Sequence, residues 1–244
     1  MEIHRQVVGH GPVVLLTHGF GASSDMFAST VDALATTHTA IAWDMRGHGR
    51  SEVSDDAADY SIAASLRDMA MLLDAVQGAR AVLLGHSLGG YLSLEYALAH
   101  PAQVAGLVLV DTGPGFRNHS ARAEWNAMAE RYATALDERG LDGLQGSEEL
   151  RRAVHRSATG LAHTARSTLR QEDDYVMASL ATITAPALVV VGSRDEPFLA
   201  GSEYMAARLP DARLAVIEGS GHAPTVTHSA AFNAVLADFL DGLR

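Results

Sequence analysis

Six short apolar runs divide the sequence: residues 13–19 (VVLLTHG), 39–44 (TAIAWD), 81–87 (AVLLGHS), 106–112 (GLVLVDT), 187–192 (ALVVVG) and 213–219 (RLAVIEG). Their apolar positions are consecutive rather than alternating, the pattern of strands covered on both faces. Stretches of helical period lie between them. Residues 61–76 place Ile62, Leu66, Met69 and Leu73 on one face, with Ser61 as the candidate cap. Residues 91–100 stop at Pro101, and residues 230–240 align Phe232, Val235, Leu236 and Phe239. Strand and helix in alternation predict an α/β fold: a mostly parallel sheet with helices on both faces.

The rhythm breaks once. Residues 113–183 hold no convincing strand, and two segments, 123–138 and 149–160, read as helices. The expected organisation is therefore a core of residues 1–112, a helical cap insertion of residues 113–183, and a second part of the core from 184 to 244. Insertions of this length in an α/β sheet more often bear on the active site than not.

Composition narrows the chemistry. The chain has 244 residues, no cysteine, and a formal charge of −11. Without cysteine there is no disulfide, thiolate metal site or cysteine nucleophile. All 18 basic residues are arginine, so Schiff-base chemistry is excluded, and no basic run exists to bind nucleic acid. Residues 1–12 lack the apolar core of a signal peptide, and no run is long enough to span a membrane. The expectation is a cytoplasmic protein acting on a small molecule, with no nucleic-acid or membrane partner.

The segment GHSLGG (residues 85–90) carries the sharpest signal. A G-x-S-x-G sequence between a strand and a helix is the setting of a nucleophile elbow, in which a strained turn lifts the serine clear of the backbone. A phosphate loop would need a lysine that is absent. Ser87 needs a base to accept its proton. Of 12 histidines, His222 stands in a loop between the last strand and the last helix, at the end of the sheet where reactive groups collect. His18 and His86 flank sharp turns and read as structural, whereas His100, His119, His155 and His163 read as solvated. The base needs an acid to orient it. Asp195 follows the strand at 187–192, and Asp111, at the end of the preceding strand, is its main rival. The oxyanion of an acyl transfer needs backbone donors. The Leu88 amide at the helix start and the Phe20 amide in HGFG (residues 18–21) are the candidates.

With these residues in view the sequence resembles the α/β-hydrolase superfamily. His18-Gly19 after a strand, DMRGHGRS (residues 44–51), GHSLGG, Asp195 and Gly221-His222 occur in that family's order, over nearly the whole chain. The resemblance implies an eight-strand-type sheet with its first strands reduced and a helical cap inserted between strands. It gives Asp44 and Arg46 a structural role, tying loops near the site. A serine at the elbow argues against the aspartate-dependent dehalogenases and epoxide hydrolases of that family.

The reading is a serine hydrolase that cleaves a small carboxylic ester or lactone through an acyl-enzyme. Ser87, His222 and Asp195 form the triad, and no metal or organic cofactor is required. A carbon–carbon bond hydrolase of ring-cleavage products, or a ligand-binding protein with incidental turnover, is the alternative. Trp125 and Met128 are candidate pocket walls. The cap carries nine arginines against ten acids, and one arginine facing the pocket could clamp a substrate carboxylate, unless all of them lie on solvated helix faces.

Overall fold

The computed structural model describes residues 1–76, 80–144, 146 and 148–243. Seven strands form one sheet: β1 (Arg5–Gly9), β2 (Val13–Thr17), β3 (Thr39–Trp43), β4 (Ala81–His86), β5 (Val104–Val110), β6 (Ala187–Gly192) and β7 (Ala212–Ile217). Their order across the sheet is β1-β3-β2-β4-β5-β6-β7. Only β1 runs antiparallel, paired with β3 from Arg5↔Trp43 to Gly9↔Thr39. The described residues thus form one short strand ahead of the parallel set and seven strands in all, where the resemblance implied an eight-strand type with its first strands reduced.

Ten α-helices complete the described chain: α1 (Ala28–Leu34), α2 (Ile62–Asp74), α3 (Leu88–Ala99), α4 (His119–Arg139), α5 (Glu148–Arg152), α6 (Ala158–Arg166), α7 (Tyr175–Ser179), α8 (Glu196–Arg208), α9 (Pro224–Thr227) and α10 (Ser229–Gly242). The two-residue period of the strands sorts the core into layers. Leu15, Ile41, Leu83, Leu107 and Val189 pack on one face with Leu72 and Leu73 of α2, Leu92 of α3 and Met205 of α8. Val14, Leu16, Leu84, Val108 and Val190 face the other way, against Val31 of α1 and Phe232 and Leu236 of α10.

The edge strand differs from the expectation. In β7, the last strand of the sheet, Leu214 and Val216 are exposed. Ser61 does cap α2, its hydroxyl accepting from the Ala64 amide at 3.1 Å. The helix expected at 149–160 is two helices, α5 and α6. The interruption holds His155, which accepts from the Gly49 amide through Nδ1 and donates to the Gly21 carbonyl through Nε2, both at 2.9 Å. His155 is thus a bridge from the insertion to two core loops, not a solvated residue, and it fixes the chain in a non-helical path.

The junction of β4 and α3 is packed backbone against backbone. A Cβ on Gly85 would lie 2.2 Å from the Gly89 carbonyl oxygen, and one on Gly89 would lie 2.1 Å from the Thr17 oxygen of β2. No side chain fits at either place. Gly89→Ala is expected to destabilise the chain by roughly 1–3 kcal/mol through overpacking. Gly242→Ala, with open space around it, is expected to leave stability unchanged or raise it. Urea denaturation of the two variants checks the contrast.

Candidate active site

Ser87 sits between β4 and α3 with φ 51° and ψ −116°. This left-handed backbone is strained for any residue but glycine. It is held by the Ser87 amide donating to the Val110 carbonyl at 2.9 Å and by the Thr112 hydroxyl donating to the Ser87 carbonyl at 2.6 Å. Gly90 leaves room for that threonine, since a Cβ there would lie 2.5 Å from Thr112 Cγ2.

The loop after β2 packs directly on this turn. A Cβ at Gly19 would lie 2.8 Å from His86 Nδ1 and 3.1 Å from Ser87 Cβ, so the neighbouring Phe20 amide is brought beside the serine. Among the described residues, neither the Phe20 nor the Leu88 amide has a hydrogen-bond acceptor. Leu88 begins α3, where amides point out of the helix and favour negative charge.

His222 and Asp195 meet. His222 Nδ1 lies 2.8 Å from Asp195 Oδ2, with the imidazole part-exposed and the carboxylate buried. Asp195 is the residue before α8, and His222 lies in the loop that follows β7. The His222 loop is fastened to the elbow: His86 Nε2 donates to the His222 carbonyl at 2.6 Å, and the two rings are 4.8 Å apart. Phe198 covers the other side of the His222 ring, at 4.7 Å.

The remaining histidines near the elbow are neutral struts. Burial lowers the pKa of His18 to about 4 and of His86 to about 3. His18 Nδ1 donates to the Gly19 carbonyl, and its Nε2 accepts from the Met45 amide. Asp44 accepts from the amides of Ser24 and Arg50 at 2.7 and 2.8 Å. Arg46 pairs with both oxygens of Asp68. Both residues therefore tie loops together beside the site.

A cavity of about 510 Å³ opens at Ser87, between the sheet's edge and the segment joining β5 to β6. Trp125 lines it, its indole fixed by donation to the Leu169 carbonyl at 2.7 Å. Met128 is not among the lining residues. Three residues further along α4, its side chain is turned by about 60° round the helix. Among the described residues no arginine lines the cavity; Arg166, for instance, pairs with Glu130 and Asp137.

Asp111, the rival acid, occupies a place the sequence did not suggest. It is fully buried, has φ 43°, and its Oδ1 accepts from the Gly192 amide at 2.8 Å. Asp111, Asp195 and His222 offer atoms within 4.8 Å of one another, a spacing a cation could use. Hydrogen bonds already occupy Asp111 Oδ1 and His222 Nδ1. Asp111 Oδ2 has no donor facing it among the described residues. Burial, with Asp195 beside it, pushes the Asp111 carboxyl up to about 9. A proton on Asp111 turns the contact between two acids into a hydrogen bond.

The unfolded chain releases that proton near pH 4, so from there up to the raised pKa of the folded state the folded chain holds one proton more. Stability must then fall as pH rises through this window. Asp111→Asn removes the titrating group. Its melting temperature is expected to decline less than that of the wild type between pH 5 and 8.5. Parallel declines in thermal melts would show that Asp111 does not hold the proton.

Known proteins carry the same architecture. A family model described as alpha/beta hydrolase fold matches residues 12–143. The protein named "Putative carbamate hydrolase RutD" from Variovorax paradoxus (strain S110) is 36% identical over a 260-residue alignment covering 98% of this chain and 96% of that protein. A pimeloyl-acyl-carrier-protein methyl ester esterase from Xanthomonas campestris pv. campestris (strain B100) is 32% identical over 250 residues, covering 93% of this chain and 94% of its own. Among solved structures, a thermophilic esterase from Thermogutta terrifontis superposes with a TM-score of 0.86 at 23% identity, over 99% of this chain and 93% of that one. A family match over more than half of the residues, relatives aligned along nearly their full length, and the seven-stranded sheet make this chain a member of the α/β hydrolase fold family.

Proposed function

We propose that this protein is a serine hydrolase that cleaves a small carboxylic ester or lactone, with Ser87 as nucleophile, His222 as base and Asp195 as the acid that orients it. One observation carries the reading. A serine held in a strained turn opens into a cavity, and the turn is bonded through His86 to the loop of a histidine that is itself paired with a buried carboxylate. The names of the relatives agree, since an ester and a carbamate are both attacked at a carbonyl carbon and expel a leaving group on oxygen or nitrogen.

The chemistry follows from these positions. Ser87 Oγ adds to the carbonyl carbon as its proton passes to His222 Nε2. The carbonyl oxygen becomes an oxyanion, which the Phe20 and Leu88 amides stabilise. Asp195 accepts from His222 Nδ1–H and stabilises the imidazolium. The imidazolium returns the proton to the departing alkoxide, leaving an acyl-serine. Water then repeats the sequence, with His222 again as base, and releases the acid.

Ser87→Ala is expected to lower kcat on nitrophenyl acetate or butyrate by about 10⁴-fold or more. A fluorophosphonate probe should label Ser87 in the wild type and nothing in the variant. Retained turnover in Ser87→Ala would sink the assignment. His86→Leu removes the tie to the His222 loop without touching substrate. It is expected to lower kcat by about 10–100-fold with a smaller change in KM, whereas a parallel loss of folded protein in thermal melts would make His86 a stability residue only.

A further inference from the structure

Among the polar side chains of the cavity wall that the mechanism does not use, Gln171 stands apart. Gln171 lines the cavity and is 5% exposed, yet its Oε1 has no hydrogen-bond partner among the described residues. A buried carbonyl oxygen left without a donor is destabilising, since it has given up its bonds to water. The backbone that carries this side chain is fixed. The Gln171 amide donates to Asn126 Oδ1 at 2.8 Å, and the Gln171 carbonyl accepts from Asn126 Nδ2 at 2.9 Å. Asn126 therefore clamps the Gln171 backbone from both sides, one residue along from the Trp125 indole that holds Leu169. Gly115, with φ +89°, clears the space beside the oxygen: a Cβ there would lie 2.6 Å from Gln171 Oε1 and 3.7 Å from Tyr91 Cε2.

The charge around this part of the wall has one sign. No lysine, arginine or histidine is among the lining residues. Burial raises the pKa of the Tyr91 hydroxyl, and Glu95, Asp173 and Glu172 raise it further. Burial also pushes the Glu95 carboxyl above the usual carboxylate range, and Asp173 adds to the shift. A substrate carboxylate lodged beside Tyr91 would lie within the field of Glu95, Asp173 and Glu172 and meet no cation among the described lining residues.

We propose that Gln171 is the recognition group of the cavity. Its carboxamide oxygen accepts a hydrogen bond from an N–H or O–H on the substrate, and the cavity selects uncharged substrates bearing such a donor over ones bearing a carboxylate. The proposal rests on the serine-hydrolase reading and names the substrate class of that same site. A donor lost at a site built to bond it is discriminated against because the site's own polar group is then buried unpaired.

The test uses methyl butanoate, methyl 3-hydroxybutanoate and monomethyl succinate, whose methanol group is too small to fill the cavity, with rates followed by pH-stat. In the wild type, kcat/KM for the hydroxy ester is expected to exceed that for butanoate by about tenfold, with the difference carried mainly by KM. Monomethyl succinate is expected to fall at least about tenfold below butanoate. In Gln171→Met the ratio of hydroxy ester to butanoate should collapse towards one. An unchanged ratio in Gln171→Met overturns the proposal, even if both rates drop together. Succinate turned over as well as butanoate also overturns it. The same comparisons are read without turnover as dissociation constants, from chemical-shift titrations of Ser87→Ala with the three esters. Equal affinity for the hydroxy and plain esters overturns the role of Gln171. Failure of the fluorophosphonate to label Ser87 overturns the hydrolase reading instead, so the two failures are distinguishable.

Discussion

The site depends on backbone meeting backbone at the end of β4. Gly85 and Gly89 face each other at a distance that admits no Cβ, and Gly89 lies equally close to the carbonyl of Thr17. That contact draws the start of α3 down onto the sheet, and Ser87 takes φ 51° as a consequence. A strained residue of this kind costs on the order of 1–3 kcal/mol and persists only where its surroundings over-determine it. Here bonds from Ser87 and Thr112 lock the turn to β5 and the residues after it, while Gly19 lets the β2 loop close over it. The same contact aims the Leu88 amide and the Ser87 side chain towards one cavity, so geometry and reactivity have a common cause.

Around that turn, buried histidines act as rigid neutral connectors. An imidazole can donate through one nitrogen and accept through the other, which suits it to joining two loops that have leftover backbone groups. His18 does so within the β2 and β3 loops, and His155 does so across more than a hundred residues. Burial lowers their pKa values, and a proton added to either would abolish its acceptor. His222 differs in being part-exposed and paired with a carboxylate, the arrangement that lets an imidazole carry charge transiently.

The sequence exposed these features unequally. The parallel sheet was legible because interior strands are apolar at every position, and the elbow because three glycines bracket one serine. The choice between Asp195 and Asp111 rested only on position, since both follow a sheet strand; the 2.8 Å contact to His222 is a tertiary fact. His155 was unreadable because its partners are backbone groups of Gly21 and Gly49, which no side-chain pattern reports. Gln171 was hidden for a different reason. It stands in RQEDD (residues 170–174), a stretch that looks solvated, and only folding shows that its side chain alone turns inward. Trp125 reaches the cavity and Met128 does not, a difference of helical phase that depends on how α4 lies over the sheet.

Asp111 shows how a second acid can serve the first without sharing its task. Two ionised carboxylates this close and this deeply buried would repel strongly, and one must take a proton. The environments decide which. Asp195 faces an imidazole that gains from its charge, whereas Asp111 faces only the Gly192 amide and the other acid. Burial and the neighbouring acid raise the Asp111 pKa, so Asp111 holds its proton more tightly than a free carboxyl and relieves the repulsion between the two. A pair of identical side chains is thus placed unequally, Asp195 against the His222 imidazole and Asp111 against the Gly192 amide, and the difference comes from the partners rather than residue type.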